Sequence, residues 1–472
     1  EETATPLVAI NVGFQGGCWV GPAGQEGLAN MLAALLDEGA GDYDSQAFQS
    51  ALDENSISLS FRAGRDALTG SLFTLSKTKD LAFELLRLSL TEPRFDVEPV
   101  ERIRAQIAVM QKRAASSPNQ IAANIIASEV FGEQRYARRV MGTEESLAGL
   151  SVAGLQAFRE DGLTKDRLKI SVVGDVTPEE SGLLLVTVFG DLPAIGKPRD
   201  LAPVTVSQVG KMVIEPFDNP QSTVQFSDPG FMQDDPDFFP AFVANHILGG
   251  GGFTSRLTDE IREKRGLTYS VYSYFQPLER AGIFTGGVAS DNAKVAEAIA
   301  LTKAEIDRLR EEGVTAEELS DAKTYLTGAF ALRFDSNAKI ASQLLGYQLG
   351  GFPIDYINIR NDKINAVMMD DINRALKRFP AASLAQPLMA HRHSRNMARM
   401  TSLDFTQAGI EKSVHFLFAG ENLPARTLIV APWHVDGQHL CIVVVLEKTA
   451  DLAPVFIDQY RARSEEHTSE LP

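Results

Sequence analysis

The feature that most constrains this chain is an order of elements that runs through it twice. A short apolar strand over 6–14 ends at Gly16-Gly17. The helix predicted next, over 24–36, carries Leu28, Met31, Leu32, Leu35 and Leu36 as one stripe at i, i+3, i+4 and i+7 spacing. A hairpin follows, 57–65 and 67–75, alternating apolar and polar about Gly64-Arg65-Asp66. Helices over 79–90, 97–115 and 118–130 come next, the last two parted by Ser116-Ser117. A buried strand over 168–176 precedes Thr177-Pro178-Glu179-Glu180, a helix start with Thr as cap and Pro in the first turn. After a stretch of little periodicity, 196–210, the order restarts. Strands over 212–215 and 223–226 lead to a helix over 235–248, capped by Asp235 with Pro236 at its first position. Gly249-Gly250-Gly251-Gly252 separates it from a helix over 254–264. A hairpin over 267–275 and 282–289 and helices over 293–311, 315–332 and 337–349 complete the second run. Agreement of order and spacing predicts a duplicated α+β domain, each copy about 180–200 residues and able to bury its own core. Two unrelated α+β domains are the plainer alternative.

Beyond 370–379 the pattern fails. A repeat of the first run calls for a closing strand, yet 380–400 reads as irregular and bears Arg and His, and an apolar strand, 441–446, comes only later. The segment 463–472, with Ser464-Glu465-Glu466-His467-Thr468-Ser469, resembles the translation of a sequencing-library adapter and is set aside as an artefact. That leaves 380–462 as a doubtful tail: a frameshift, a read-through, a chimera, or a genuine third domain. The expected organisation is therefore a first domain over 1–195, a linker over 196–210, a second domain over 211–379, and then the tail.

Histidine is distributed as unevenly as the pattern. His246 stands alone before residue 390; His391, His393, His415, His434, His439 and His467 all follow. The net charge of -17 argues against a nucleic-acid or anionic-membrane partner. Two cysteines, Cys18 and Cys441, make neither a disulfide framework nor a thiolate metal site. No apolar run approaches the roughly 20 residues needed to span a bilayer, so no membrane insertion is expected. The start, Glu1-Glu2-Thr3, lacks an initiator Met and is read as truncated, which leaves room for a lost targeting signal.

Two segments resemble the insulinase/pitrilysin family of metallopeptidases, in its bacterial and mitochondrial-processing-peptidase-like branch. The more specific is Leu248-Gly249-Gly250-Gly251-Gly252-Phe253-Thr254-Ser255-Arg256-Leu257, continued by Glu260-Ile261-Arg262-Glu263-Lys264-Arg265-Gly266-Leu267-Thr268-Tyr269-Ser270-Val271-Tyr272-Ser273. The other is the helix over 24–39, which in active members carries a His-x-x-Glu-His zinc motif. The resemblance covers residues 1 to about 379. It implies two homologous domains, each a mostly antiparallel sheet covered by helices, enclosing a chamber with a partner subunit.

At the zinc helix this sequence departs from the family. Asn30, Ala33 and Ala34 stand where His, Glu and His belong, and Val109-Met110 falls near the place of the third, carboxylate ligand. A zinc peptidase needs two imidazoles one helical turn apart and a carboxylate to take a proton from the bound water; none of these residues supplies them. Arg262 and Tyr269, by contrast, match the family's substrate-binding pair. A guanidinium fork can hold a peptide carbonyl or carboxylate, and a tyrosine hydroxyl can donate to an oxyanion. The resemblance thus implies a non-zinc-binding subunit of a heteromeric metalloendopeptidase. Zinc is expected on a paralogous partner, with a peptide as substrate and the periplasm as location. A scaffold or peptide-binding protein of the same fold is the alternative, and a self-sufficient zinc peptidase is disfavoured by the missing ligands. Other features read plainly. The glycine run lacks the Lys-Ser/Thr of a phosphate loop and reads as a turn for close backbone approach. His246 reads as a packing or capping residue, Asp37-Glu38 as solvated carboxylates, and the charges over 305–312 as the wet face of a helix.

Overall fold

The computed structural model describes residues 5–199, 202, 204–207 and 212–379, and gives three further strands by their backbone alone. In the first half, β1 (Leu7–Gln15) is apolar and buried almost throughout because it is central. Antiparallel β3 (Ala67–Leu75) lies on one side and β4 (Leu168–Gly174) on the other, with β2 (Ser58–Ala63) at the edge. The helices are α1 (Leu28–Leu35), α2 (Ser45–Glu54), α3 (Lys79–Thr91), α4 (Val97–Ala115), α5 (Pro118–Phe131), α6 (Glu144–Ala148), α7 (Val152–Gly162) and α8 (Pro178–Phe189). One core joins Val8, Ile10 and Val12 of β1 to Met31 and Leu32 of α1, Phe48 and Leu52 of α2, and Ile103 and Ile107 of α4. The Thr177 start is a full capping box: Glu180 N donates to Thr177 Oγ1 at 3.1 Å, and Thr177 N to Glu180 Oε2 at 3.0 Å. The helix expected from residue 24 begins only at Leu28, because Gly24 and Gly27 hold φ of +79° and +93° and cannot continue it backwards.

The second half contains β5 (Met212–Phe217), β6 (Gln221–Pro229), β7 (Thr268–Pro277), β8 (Gly282–Asp291) and, by backbone alone, β9 (Gln386–His391), β10 (Thr427–Val435) and β11 (Gln438–Leu446). Their order is β10-β11-β5-β9-β6-β8-β7. The block β7-β8-β6-β9 is antiparallel throughout and repeats the plan β2-β3-β1-β4. Thus β9 takes the closing position inside the stretch that its sequence leaves irregular. Parallel β5 and antiparallel β6 hold it by backbone from both sides, so it needs no alternation of its own. Apart from these strands, the tail from 380 onward lies outside the described residues.

Helices α9 (Phe238–Asn245), α10 (Val295–Glu312), α11 (Ala316–Gly328), α12 (Asn337–Leu349), α13 (Tyr356–Ala366) and α14 (Met369–Leu376) cover this sheet or extend from it. The expected cap Asp235 lies outside α9, whose cap position is Asp237; Asp235 instead accepts from Asp237 N at 2.8 Å. Arg378 binds both aspartates, at 2.6 and 2.7 Å, and Arg374 binds Asp237 at 2.7 Å. The charges over 305–312 are not uniformly wet: Glu305 is buried and pairs with Arg308 at 2.5 Å.

The halves exchange helices. First-half α5 lies on β6 and β9, while second-half α12 lies on the equivalent strands β1 and β4. Along α12, Asn337 Nδ2 donates to Leu7 O (3.2 Å), Ser171 Oγ to Ala341 O (2.6 Å) and Gln348 Nε2 to Ile170 O (2.8 Å). Gly13 admits Leu349, whose methyl carbon would sit 3.0 Å from a Cβ there. The two equivalent hairpin tips also meet. Trp19, Phe131 and Tyr136 pack with Leu278, Ala281 and Ile283. Asp66 accepts from Tyr136 OH (2.5 Å) and Glu279 N (3.0 Å), and Tyr136 OH accepts from Arg280 N (3.2 Å).

Candidate functional site

The glycine run builds the site from below. After α9 the chain widens into a π turn, His246–Gly250, tightens at Gly252–Thr254, and widens again at Thr258–Glu263. The single α-helix expected over 254–264 is therefore absent. Gly249 lies against β7 so closely that a Cβ would meet Ser273 Oγ at 2.4 Å and Ser273 N at 2.7 Å. The run serves close backbone approach. Hydroxyls then lock the turn: Ser255 Oγ donates to Gly252 O at 2.8 Å and Thr254 Oγ1 to Gly251 O at 3.2 Å.

Leu257 and Ile261 anchor the second π turn in the core, and Arg262 leaves it towards the surface. Tyr269 gains its position from a β-bulge. Thr268 pairs with Ser290 and Ser270 with Ala289, so Tyr269 is the extra residue, and 80% of its surface is exposed. The Thr268 hydroxyl fixes the bulge by donating to Ser270 O at 2.8 Å and to Ala289 O. The structure thus brings Arg262 and Tyr269 together, with the guanidinium carbon 5.3 Å from the Tyr269 ring centre. It adds a residue that motif spacing missed: Phe253, 71% exposed, whose ring centre lies 4.8 Å from the same carbon. The signal was an aromatic side chain within a glycine turn. Arg262 also has Glu263 at 3.5 Å from Nε, an exposed and therefore weak ion pair.

The degenerate positions stand elsewhere on the frame. Ala33 is buried inside α1, Asn30 and Ala34 are half-buried, and α1 packs against β2, α4 and α7. Val109 and Met110 are exposed on α4. This donor set does not fit zinc: one amide, two methyls and two apolar side chains offer nothing a divalent cation binds well. Among the described residues no group of three or more His, Cys, Asp or Glu could hold a metal ion.

The neighbouring carboxylates have structural surroundings. Glu38 is not simply solvated. Burial raises its pKa, but hydrogen bonds from Arg102 (2.7 Å) and Ser45 (2.7 Å) and the Arg102 charge outweigh that and leave it below the usual range. Asp37 is pushed up to about 6, chiefly by burial. His246 is buried, stacks on Tyr325 with ring centres 5.1 Å apart, and is held below its ordinary pKa by burial. No described helix is long and apolar enough to cross a membrane.

With this geometry in hand, likeness to known proteins is informative. Residues 149–326 match the family model described as the peptidase M16 inactive domain. A Helicobacter pylori protein called non-peptidase homolog YmxG is 26% identical over 378 residues, covering 80% of this chain and 87% of its own. The probable mitochondrial-processing peptidase subunit beta of Schizosaccharomyces pombe is 23% identical over 363 residues, 74% of this chain and 77% of its own. The crystal structure of a peptidase M16 inactive domain from Pseudomonas fluorescens superimposes with a TM-score of 0.78 at 24% identity, covering 84% of this chain and 95% of that one. The fold is therefore the mixed helix and antiparallel-sheet fold of that structure, and residues 149–326 of the chain match a peptidase M16 inactive domain.

Proposed function

We propose that this chain is the non-zinc-binding subunit of a heteromeric M16 metalloendopeptidase, contributing Arg262 and Tyr269 to the binding of a peptide and of its transition state. The observation that carries the reading is an asymmetry of upkeep. The α1 positions offer no imidazole and no carboxylate, while a bulge, a π turn and a locked glycine loop still present Arg262 and Tyr269 side by side at the surface. Likeness to a processing-peptidase beta subunit supports a heteromeric arrangement. In this reading a paralogous subunit holds the zinc and the chemistry that zinc supplies, and the two chains enclose a chamber. Arg262 orients the peptide and Tyr269 OH donates to the developing oxyanion. Export to the periplasm belongs to the same proposal.

The experiment is co-expression with a zinc-bearing M16 paralogue. Peptide cleavage by the mixture, lowered at least tenfold by Arg262→Ala or Tyr269→Phe, is expected if these side chains act in the transition state. Cleavage that ignores both substitutions would falsify the assignment. A second reading, a peptide-binding protein without catalysis, is favoured by the likeness to a protein called a non-peptidase homolog. Peptide binding that persists without cleavage beside every paralogue would select it.

A further inference from the structure

The Arg262–Tyr269 pair is the whole of what a motif would mark, but the guanidinium has a third neighbour. Phe253 and Tyr269 are both more than two-thirds exposed, and the Arg262 guanidinium carbon lies 4.8 and 5.3 Å from their ring centres. Among the described residues the ion partner of Arg262 is Glu263, at 3.5 Å from Nε. A planar cation beside two aromatic rings is held by their quadrupoles, and its hydrogen-bonding edge stays available to a planar anion. The loop bearing Phe253 is held by its own hydrogen bonds and by close approach to β7. Gly249 has no room for a side chain, and the Ser255 and Thr254 hydroxyls bond the backbone of Gly252 and Gly251. Phe253 is thus a large apolar side chain left 71% exposed, with its ring beside Arg262.

We infer that Phe253 is a positioning residue: with Tyr269 it orients the Arg262 guanidinium as a clamp for a peptide carboxylate, and its ring adds an apolar contact beside that carboxylate. This rests on the reading of Arg262 as a substrate-binding residue and goes one step further, to the ligand group and the residue that aims the cation. Glu263 is the internal competitor for the same fork, so its removal should help the ligand.

Two measurements on the full chain test this. In the arginine NMR spectrum, Arg262 (assigned with Arg262→Lys) should show side-chain resonances shifted upfield by the rings. Phe253→Leu should reduce that shift, and Phe253→Tyr should retain it. In parallel, a short peptide with a free C-terminal carboxylate is titrated against the same peptide amidated. The free acid should bind more tightly. Phe253→Leu should weaken it about twofold to fivefold, as expected for an exposed cation–π contact, with little effect on the amide. Glu263→Gln should tighten it. If Arg262→Gln leaves both peptides bound as before, the substrate-binding reading of Arg262 fails. If Arg262→Gln abolishes the preference for the acid while Phe253→Leu changes neither shift nor affinity, the inference about Phe253 alone is overturned. A wild-type chain that binds neither peptide, or both equally, overturns the carboxylate clamp.

Discussion

Asp228 is a buried carboxyl whose surroundings a simple experiment can probe. It lies on β6 opposite Phe284, facing the same side as Val224 and Phe226, and only 1% of its surface reaches solvent. Neither carboxylate oxygen meets a hydrogen-bond donor of the described protein, and the neighbouring Ser227 hydroxyl is likewise unmatched. Burial pushes its pKa up to about 7, opposed by the charge of Lys303 on α10, which burial in turn holds below the lysine range. An unfolded aspartate titrates near 3.9, so between about pH 4 and pH 7 the native state binds the extra proton and stability falls as pH rises. The sign is opposite to that of an ion-paired carboxylate.

A carboxyl that titrates near 7 in the fold and near 4 in the unfolded chain costs about 4 kcal/mol once pH exceeds the native pKa, at about 1.4 kcal/mol for each pH unit between the two. At pH 5 the cost is about 1.5 kcal/mol, because only about one pH unit of that interval has been crossed. Asp228→Asn removes the titration but leaves an unmatched buried amide, which costs about 1–3 kcal/mol at every pH. The useful quantity is therefore a difference of differences. Relative to wild type, the variant should gain about 2–3 kcal/mol in stability between pH 5 and pH 8, whatever the constant cost of the amide. Urea denaturation followed by circular dichroism at both pH values measures it. Parallel behaviour of the two proteins, agreeing within about 0.5 kcal/mol across that range, would show that the carboxyl is not desolvated as placed. Lys303→Met, which removes the opposing charge, should steepen the wild-type dependence.

Other expectations follow from single contacts. Gly249→Ala forces a Cβ onto the Ser273 backbone, so β7 must shift; a loss of about 1–3 kcal/mol in urea stability is expected, with loss of any upfield shift at Arg262. Tyr136→Phe takes from Asp66 its hydroxyl donor and from Arg280 N its acceptor at the hairpin joint, and should cost about 1–3 kcal/mol, read by the unfolding midpoint. Glu38→Gln should destabilise at neutral pH and much less in acid. The Glu38 pKa is lowered in the fold, so its stabilisation is present above the unfolded value and vanishes as pH falls through the native one; urea midpoints at pH 7 and pH 3 compare the two.

What could be read from sequence was what local chemistry decides. Thr177-Pro178-Glu179-Glu180 forms its box within four residues, helix α4 is found where 97–115 predicts it, and the first hairpin carries its alternation with it. The failures belong to features set by distant partners or by a single dihedral. The start of α1 is set by Gly24 and Gly27 at positive φ, which a glycine allows but does not announce. Helix α2, capped by Asp44 accepting from Ala47 N at 2.8 Å, buries only Phe48 and Leu52, too thin a stripe to stand out. Burial of Glu305 and closure of the second sheet by β9 depend on neighbours far along the chain. The exchange of α5 and α12 is visible only once both sheets exist. At the site, the pairing of Arg262 with Tyr269 followed from motif resemblance. The bulge, the π turns and Phe253 did not, because register is a property of two strands and not of one.

Set side by side, the two halves differ in what they maintain. They share a strand order, a hairpin edge and a helix lent to the other sheet, so the frame has been kept twice. In the first half α1 is a regular helix once Gly24 and Gly27 have turned the chain into it, and its small side chains at 33 and 34 cost nothing to hold. In the second half, a glycine that excludes any side chain, two π turns and a bulge are departures from regular structure, each of which weakens the local ladder. Such departures persist where something is gained by aiming a side chain. What they aim here is an arginine, a tyrosine and a phenylalanine, groups that bind and orient but do not hold a metal. On the proposed reading, the π turns and the bulge of the second half speak for a binding role more directly than the donor-poor positions of the first half speak against one.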